Sequence, residues 1–195
     1  MPIFKPQSQD RLKELFKRAK DAGVVAVGID LDGCGSTNWA YRNKPVYRKS
    51  PQELIEIVKF TDLPVIFKGI MNIKDAQHVV NSGAYAIIIS NHGGRVLDSS
   101  RGVADVLPEI ADKFKGKILI GADGAVRTGY DVIKLLALGA DFVSIGRPLI
   151  RMAIAGGPWA VKDYLDYVKK DFRNAMLMTG CDNLSEINKD ILIKE

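Results

Sequence analysis

The chain has 195 residues, 47% of them apolar and 26% charged, a balance ordinary for a globular protein with one hydrophobic core. Its net charge of +5 contains no run of five like charges, which argues against a nucleic-acid surface and leaves small anionic ligands open. Cys34 and Cys181 lack metal-ligand or redox spacing, so a reducing compartment without a structural disulfide is expected. The opening MPIFKPQSQD turns polar too early for a signal peptide, and no stretch approaches the roughly 20 apolar residues of a membrane span. A cytoplasmic location with no membrane partner is the expectation.

In chain order, a short apolar run at residues 2–5 precedes a helix with Ser8 available as N-cap and Leu12, Leu15, Phe16 and Ala19 on one face. Ala22-Gly23-Val24 then leads into a buried strand ending at Asp30. Ser50-Pro51-Gln52-Glu53 is a capping box with proline at the first helical position. A strand over residues 63–68 follows, then a helix opened by Asn72 and Asp75 and carrying Val79 and Val80. Ser82-Gly83-Ala84 repeats the entry into a strand, here running to Ser90. Residues 117–122 form another strand. Thr128 and Asp131 open a helix with Val132, Leu135 and Leu136, and Leu138-Gly139-Ala140 starts the last strand, to Gly146. In all three repeats the glycine is placed to end a helix in the left-handed conformation, and the apolar run after it suits a strand buried on both faces.

Strands alternating with helices predict parallel βαβ units within a single domain, residues 1–195. Polar or glycine-rich sequence follows almost every strand: Asp30 to Gly35, Lys68-Gly69, Ser90 to Arg95, Asp123 to Arg127, and Gly146-Arg147. Functional groups spread over many strand ends are the habit of a TIM (β/α)8 barrel, whereas an open doubly wound sheet concentrates them at one switch point.

Two of these loops, Gly121-Ala122-Asp123-Gly124-Ala125-Val126-Arg127 and Ile145-Gly146-Arg147-Pro148, suit an anion cradle of backbone N–H groups beside arginines. In barrels the loops after the last two strands often hold phosphate. His92, flanked by Ser90-Asn91 and Gly93-Gly94-Arg95, reads as a base beside a carboxylate clamp. His78, inside a helix, reads as structural. Lys68 closes an apolar strand, where an inward charge needs a partner. Asp30 is the preferred group to orient His92, with Asp32 competing because alternation puts both on one side if the strand continues. Trp39, Tyr41 and Arg42, in the loop over residues 33–47, contact substrate or serve packing at the surface.

Lys68-Gly69, Ser90-Asn91-His92-Gly93-Gly94-Arg95, Asp123-Gly124-Ala125-Val126-Arg127 and Gly146-Arg147-Pro148 together resemble, in order and spacing, the FMN-dependent α-hydroxy-acid oxidase and dehydrogenase family, which includes glycolate and lactate oxidases. The resemblance implies FMN as cofactor, a small 2-hydroxy acid as substrate, and no metal. It implies that Lys68 and Ser90 lie against the flavin ring system, and that Asp123, Gly124, Ala125, Val126, Arg127, Gly146 and Arg147 hold the ribityl phosphate. His92 would be the catalytic base, contacting substrate and oriented by Asp30, and Arg95 would bind the substrate carboxylate.

Two departures stand out. Ala125 occupies a position where the family usually has glycine, which strains it if φ is positive there. If Asp123 ends strand seven and Gly146 strand eight, the strand ending at Asp30 is the fourth and residues 2–5 are a remnant of the third. A barrel incomplete at its N-terminus, with five to six parallel strands, is therefore expected. Its exposed edges point to a fragment or to assembly with another chain, a homo-oligomer included. The competing readings are a catalytically inactive FMN- or phosphate-binding barrel fragment and another FMN barrel, such as a flavin-dependent isomerase.

Overall fold

The computed structural model describes residues 1–36, 39 and 41–193. Six parallel strands lie side by side in chain order: β1 (Ile3–Phe4), β2 (Val27–Asp30), β3 (Val65–Ile70), β4 (Ala86–Ile89), β5 (Leu119–Ala122) and β6 (Phe142–Val143). Helices α1 (Gln9–Asp21), α2 (Pro51–Val58), α3 (Ile73–Asn81), α4 (Val103–Phe114), α5 (Gly129–Ala137) and α6 (Arg147–Thr179) alternate with them. The order β1-β2-β3-β4-β5-β6 is that of an α/β barrel, and the sheet is open between β1 and β6, as a partial barrel requires. No helix among the described residues is long and apolar enough to cross a membrane.

The caps form as their residue types dictate. Ser8, Ser50, Asn72 and Thr128 each accept a backbone N–H of the first turn, and Ser50–Glu53 and Thr128–Asp131 are full capping boxes. Gly23, Gly83 and Gly139 adopt φ of 75°, 78° and 114°, the left-handed geometry that ends α1, α3 and α5. Helix α4 has no strong sequence signal, because Gly102 stands where a capping side chain would and Pro108 lies inside. Burial of Val106, Leu107 and Ile110 against the sheet decides it, with the Gly102 N–H donating to Asp105 Oδ2 at 3.0 Å. The α6 segment is broken at Gly156 and Gly157, the latter at φ 62°, ahead of Pro158.

Period-2 alternation divides the core in two. Val27, Ile29, Phe67, Ile87, Ile89 and Ile120 point outward onto the helices and join Leu12, Phe16, Leu107 and Ile110. Ala26, Ile66, Ala86 and Ile88, with Phe142, form a smaller cluster on the other face. The parallel register sets Asp30 beside Lys68, and Ile89 beside Ala122. The C-terminal strand ends are thereby level, and their polar residues meet at one end of the sheet.

Candidate functional site

Lys68 stands at the centre of this end. Its Nζ lies 2.8 Å from Ser90 Oγ, 3.4 Å from Asp30 Oδ1 and 3.5 Å from Asp123 Oδ2, which answers the charge that β3 carries inward. Ser90 is fully buried, so it sits behind Lys68 and holds it rather than lining the cleft. Asp30, also buried, accepts from Lys5 Nζ through Oδ2. Burial alone would raise its pKa, and the ammonium groups of Lys5 and Lys68 outweigh this, holding Asp30 below the usual carboxylate range.

His92 follows β4 in the left-handed region, at φ 54°, with its N–H donating to Ser90 Oγ at 3.2 Å. Its ring is held at both ends. Asp32 Oδ2 lies 2.7 Å from Nδ1, and Asp30 Oδ2 lies 3.2 Å from Nε2. Asp30, the preferred partner, and Asp32, its competitor, both meet the imidazole, and the shorter contact is from Asp32. Strand alternation is not what brings Asp32 in. The strand stops at Asp30, and a 3-10 turn over Leu31–Gly35 folds Asp32 back across β3 at Gly69. Burial, then the neighbouring Asp30, raises the Asp32 pKa against the lowering effect of its bond to His92. Asp30, Asp32 and His92 converge closely enough to ligate a cation, their donor atoms lying within 4.8 Å of one another. Lys5 and Lys68 already neutralise Asp30, so the donor set is committed to ion pairs.

Beside this network opens a cleft of about 240 Å³, lined by Lys68, His92, Arg95, the Asp123–Arg127 loop, Ser144 and Gly146, Arg147 and Arg151. Gly124 and Ala125 have φ of 104° and 57°, so alanine occupies a left-handed position, as the departure at residue 125 anticipates. Val126 is buried and anchors the loop. The Arg127 backbone is fixed on both sides: its N–H donates to Asp131 Oδ2 at 2.9 Å, and its carbonyl accepts the Tyr164 hydroxyl at 2.6 Å. Arg147 begins α6 and passes so close to Gly93 that a Cβ there would lie 2.3 Å from the guanidinium. Arg95 is exposed at the cleft, its Nε donating to the His92 carbonyl at 3.0 Å.

Arg95, Arg127, Arg147 and Arg151 form no ion pair among the described residues. Asp123 Oδ1 is buried at the cleft with no partner there either. A cluster of uncompensated arginines over turn backbone can hold a phosphate.

Asp30, Lys68, Ser90, His92, Arg95, the Asp123–Arg127 loop, Gly146 and Arg147 all lie at this end of the sheet. Lys5, Ser144 and Arg151 belong to it without having been singled out. Lys5 had a signal, a cation ending an apolar run, but its partner lies 25 residues away. His78 is on α3 and does not line the cleft. In the loop over residues 33–47, residues 37, 38 and 40 lie outside the described residues; Tyr41 is exposed, and Lys44 Nζ stacks 5.6 Å from the Trp39 ring.

A family model described as FMN-dependent dehydrogenase matches residues 36–194. An L-lactate dehydrogenase of Ectopseudomonas mendocina is 45% identical over 144 residues, which is 74% of this chain and 38% of that protein. The 2-hydroxyacid oxidase 2 of Bos taurus is 40% identical over 155 residues, covering 76% of this chain and 44% of that protein. Among solved structures, mandelate oxidase with (S)-2-phenylpropionate superposes with a TM-score of 0.85 at 30% identity, covering 96% of this chain and 60% of the other. A mandelate oxidase variant with a monooxide FMN adduct gives 0.85 at 32% identity, over 96% and 62%. The chain thus spans less than half the length of the two curated relatives and about 60% of the mandelate oxidase chains.

Proposed function

This chain belongs to the FMN-dependent dehydrogenase family, and from that premise we propose that its cleft is the site where a small 2-hydroxy acid is oxidised to the 2-oxo acid on FMN. The observation that carries the reading is a juxtaposition. A carboxylate-held histidine and a group of uncompensated arginines open on one cleft. The first suits proton removal, the second a phosphate and a carboxylate.

The residues present fit FMN. Arg127 and Arg147, with the turn Asp123-Gly124-Ala125-Val126 and Gly146, would hold its phosphate, and Lys68, backed by Ser90, would face its ring. When bound, FMN supplies the acceptor for the two electrons that leave the hydroxyl-bearing carbon. Arg95 would bind the substrate carboxylate through paired N–H donors, fixing that carbon toward His92. His92 would take a proton from the substrate, and Asp30 would stabilise the imidazolium that results. Lys68 would offset negative charge on the cofactor side.

Two further readings belong to this proposal. Cys34 and Cys181 are free thiols, which supports a cytoplasmic location. The open edges at β1 and β6 support pairing of this single domain with further polypeptide or a second copy.

Anaerobic spectroscopy of the FMN-loaded chain with a panel of 2-hydroxy acids tests the function. Bleaching by lactate, glycolate or mandelate is expected, and His92→Gln is expected to abolish it. A yellow protein that no 2-hydroxy acid bleaches would be a binding module instead.

A further inference from the structure

We propose that Asp32 is a positioning residue that keeps the His92 proton on Nδ1, so that Nε2 is the nitrogen that accepts the substrate proton, and that Asp30 receives the N–H so created. The proposal rests on His92 being the base of the reaction proposed above, and it divides between two carboxylates the work a single one usually does.

A neutral imidazole has one N–H to give. His92 has a carboxylate oxygen at each nitrogen, 2.7 Å from Nδ1 and 3.2 Å from Nε2. Only one of these contacts can be a donated hydrogen bond while the ring is neutral, and the shorter is to Asp32. With the proton there, the Nε2 lone pair faces Asp30 Oδ2 across 3.2 Å, so a proton arriving at Nε2 from the cleft would be shared with that oxygen. A proton leaving the substrate would go to Nε2, and bound FMN would supply the acceptor for the two electrons left behind. The imidazolium then donates at both ends, and the Nε2 contact to Asp30 becomes a charge-assisted bond. Asp30 is held ionised for this by Lys5 and Lys68.

The seat of Asp32 is built by its neighbours. At Gly69 the pairing of β3 with β4 shifts register, and φ is +96°. A Cβ at residue 69 would lie 2.7 Å from Asp32 Cγ and 2.8 Å from both its Cβ and its backbone N. Only a residue without a side chain lets the 3-10 turn bring Asp32 across the strand to the imidazole. The second oxygen, Asp32 Oδ1, is buried without a partner among the described residues. Leaving an acceptor buried and unpaired costs stability and contributes nothing to packing. Its retention fits a carboxylate placed for the histidine.

Nitrogen-15 NMR of the imidazole reads the tautomer directly and needs neither cofactor nor turnover. The chain has two histidines, so His78→Gln leaves His92 as the only ring signal. In its neutral form the ring is expected to carry its proton on Nδ1, and Asp32→Ala is expected to move it to Nε2. Gly69→Ala should displace Asp32 and reproduce that move with both carboxylates retained. In the FMN-loaded protein, Asp32→Ala should slow flavin reduction about 10²–10⁴-fold, the range of general-base contributions, with substrate KM little changed. Asp32→Asn, whose amide oxygen still accepts from Nδ1, should restore most of the rate. A wild-type ring protonated on Nε2 overturns the proposal whether or not the variants fold. If no 2-hydroxy acid reduces the flavin but the tautomer moves as described, the proposed function fails and the role of Asp32 in holding the ring stands.

Discussion

Around Lys68 and His92 the charges answer one another within the chain: Lys5 and Lys68 on Asp30, Lys68 on Asp123, and the imidazole between Asp30 and Asp32. Along the same cleft, Arg127, Arg147 and Arg151 have no carboxylate against them among the described residues. The first region is largely buried and its charges are paired within the chain, although Asp32 Oδ1 and Asp123 Oδ1 keep no partner among the described residues. The second is exposed, fixed in backbone and incomplete in charge. On the proposed function, the chain would supply its own counter-ions where a proton is moved and leave the counter-ion to the ligand where phosphate would be held. Substitutions in the network should therefore be felt as stability, and substitutions in the cradle as affinity.

The largest effect is expected from Asp30→Ala, which leaves Lys5 and Lys68 without their shared partner. Removing one member of a buried ion pair costs about 3–5 kcal/mol, which urea unfolding would register. Arg147→Ala is expected to leave unfolding of the apoprotein unchanged. It should weaken FMN about 10–100-fold, the value of a hydrogen bond to a charged group, and leave riboflavin affinity unaltered. A stability loss in that variant would erase the contrast between the two regions. Ala125→Gly relieves a left-handed alanine and is expected to stabilise by about 1 kcal/mol, measured in the same denaturation.

The smallest effect sharpens the contrast within the network itself, because its two aspartates shift in opposite directions. Asp30 is held below its ordinary value of 3.8, so the stability it contributes is present above that pH and is lost as pH falls through its folded pKa. Asp32 is raised above 3.8, so the fold binds its proton more tightly than the unfolded chain does. Its contribution is fully present below 3.8 and is lost as pH rises through the raised value. Asp32→Asn should accordingly raise the melting temperature at neutral pH, and the gain should vanish in acid.

Much of this was legible in the sequence where one residue type does one local job. Ser50, Asn72 and Thr128 announce helices because their side chains replace missing backbone partners. Gly23, Gly83 and Gly139 mark where helices end, because only glycine adopts the required φ at no steric cost. The spacing of Lys68, His92, Arg95 and Arg127 along successive strand ends carried the barrel and its cleft. What stayed hidden depended on contacts distant in sequence. Helix α4 is decided by burial of Val106, Leu107 and Ile110 rather than by a cap. Lys5 meets Asp30 only once β1 pairs with β2. Asp32 reaches His92 because Gly69 leaves it room, a relation between residues on different elements that no period of two or 3.6 encodes.

One anaerobic turnover tests the central claim most directly. The FMN-loaded protein is mixed with excess lactate, glycolate or mandelate, and both flavin absorbance and the organic product are measured. One 2-oxo acid is expected for each flavin reduced. Flavin that stays oxidised with all three, or that is reduced without a 2-oxo acid appearing, would contradict it.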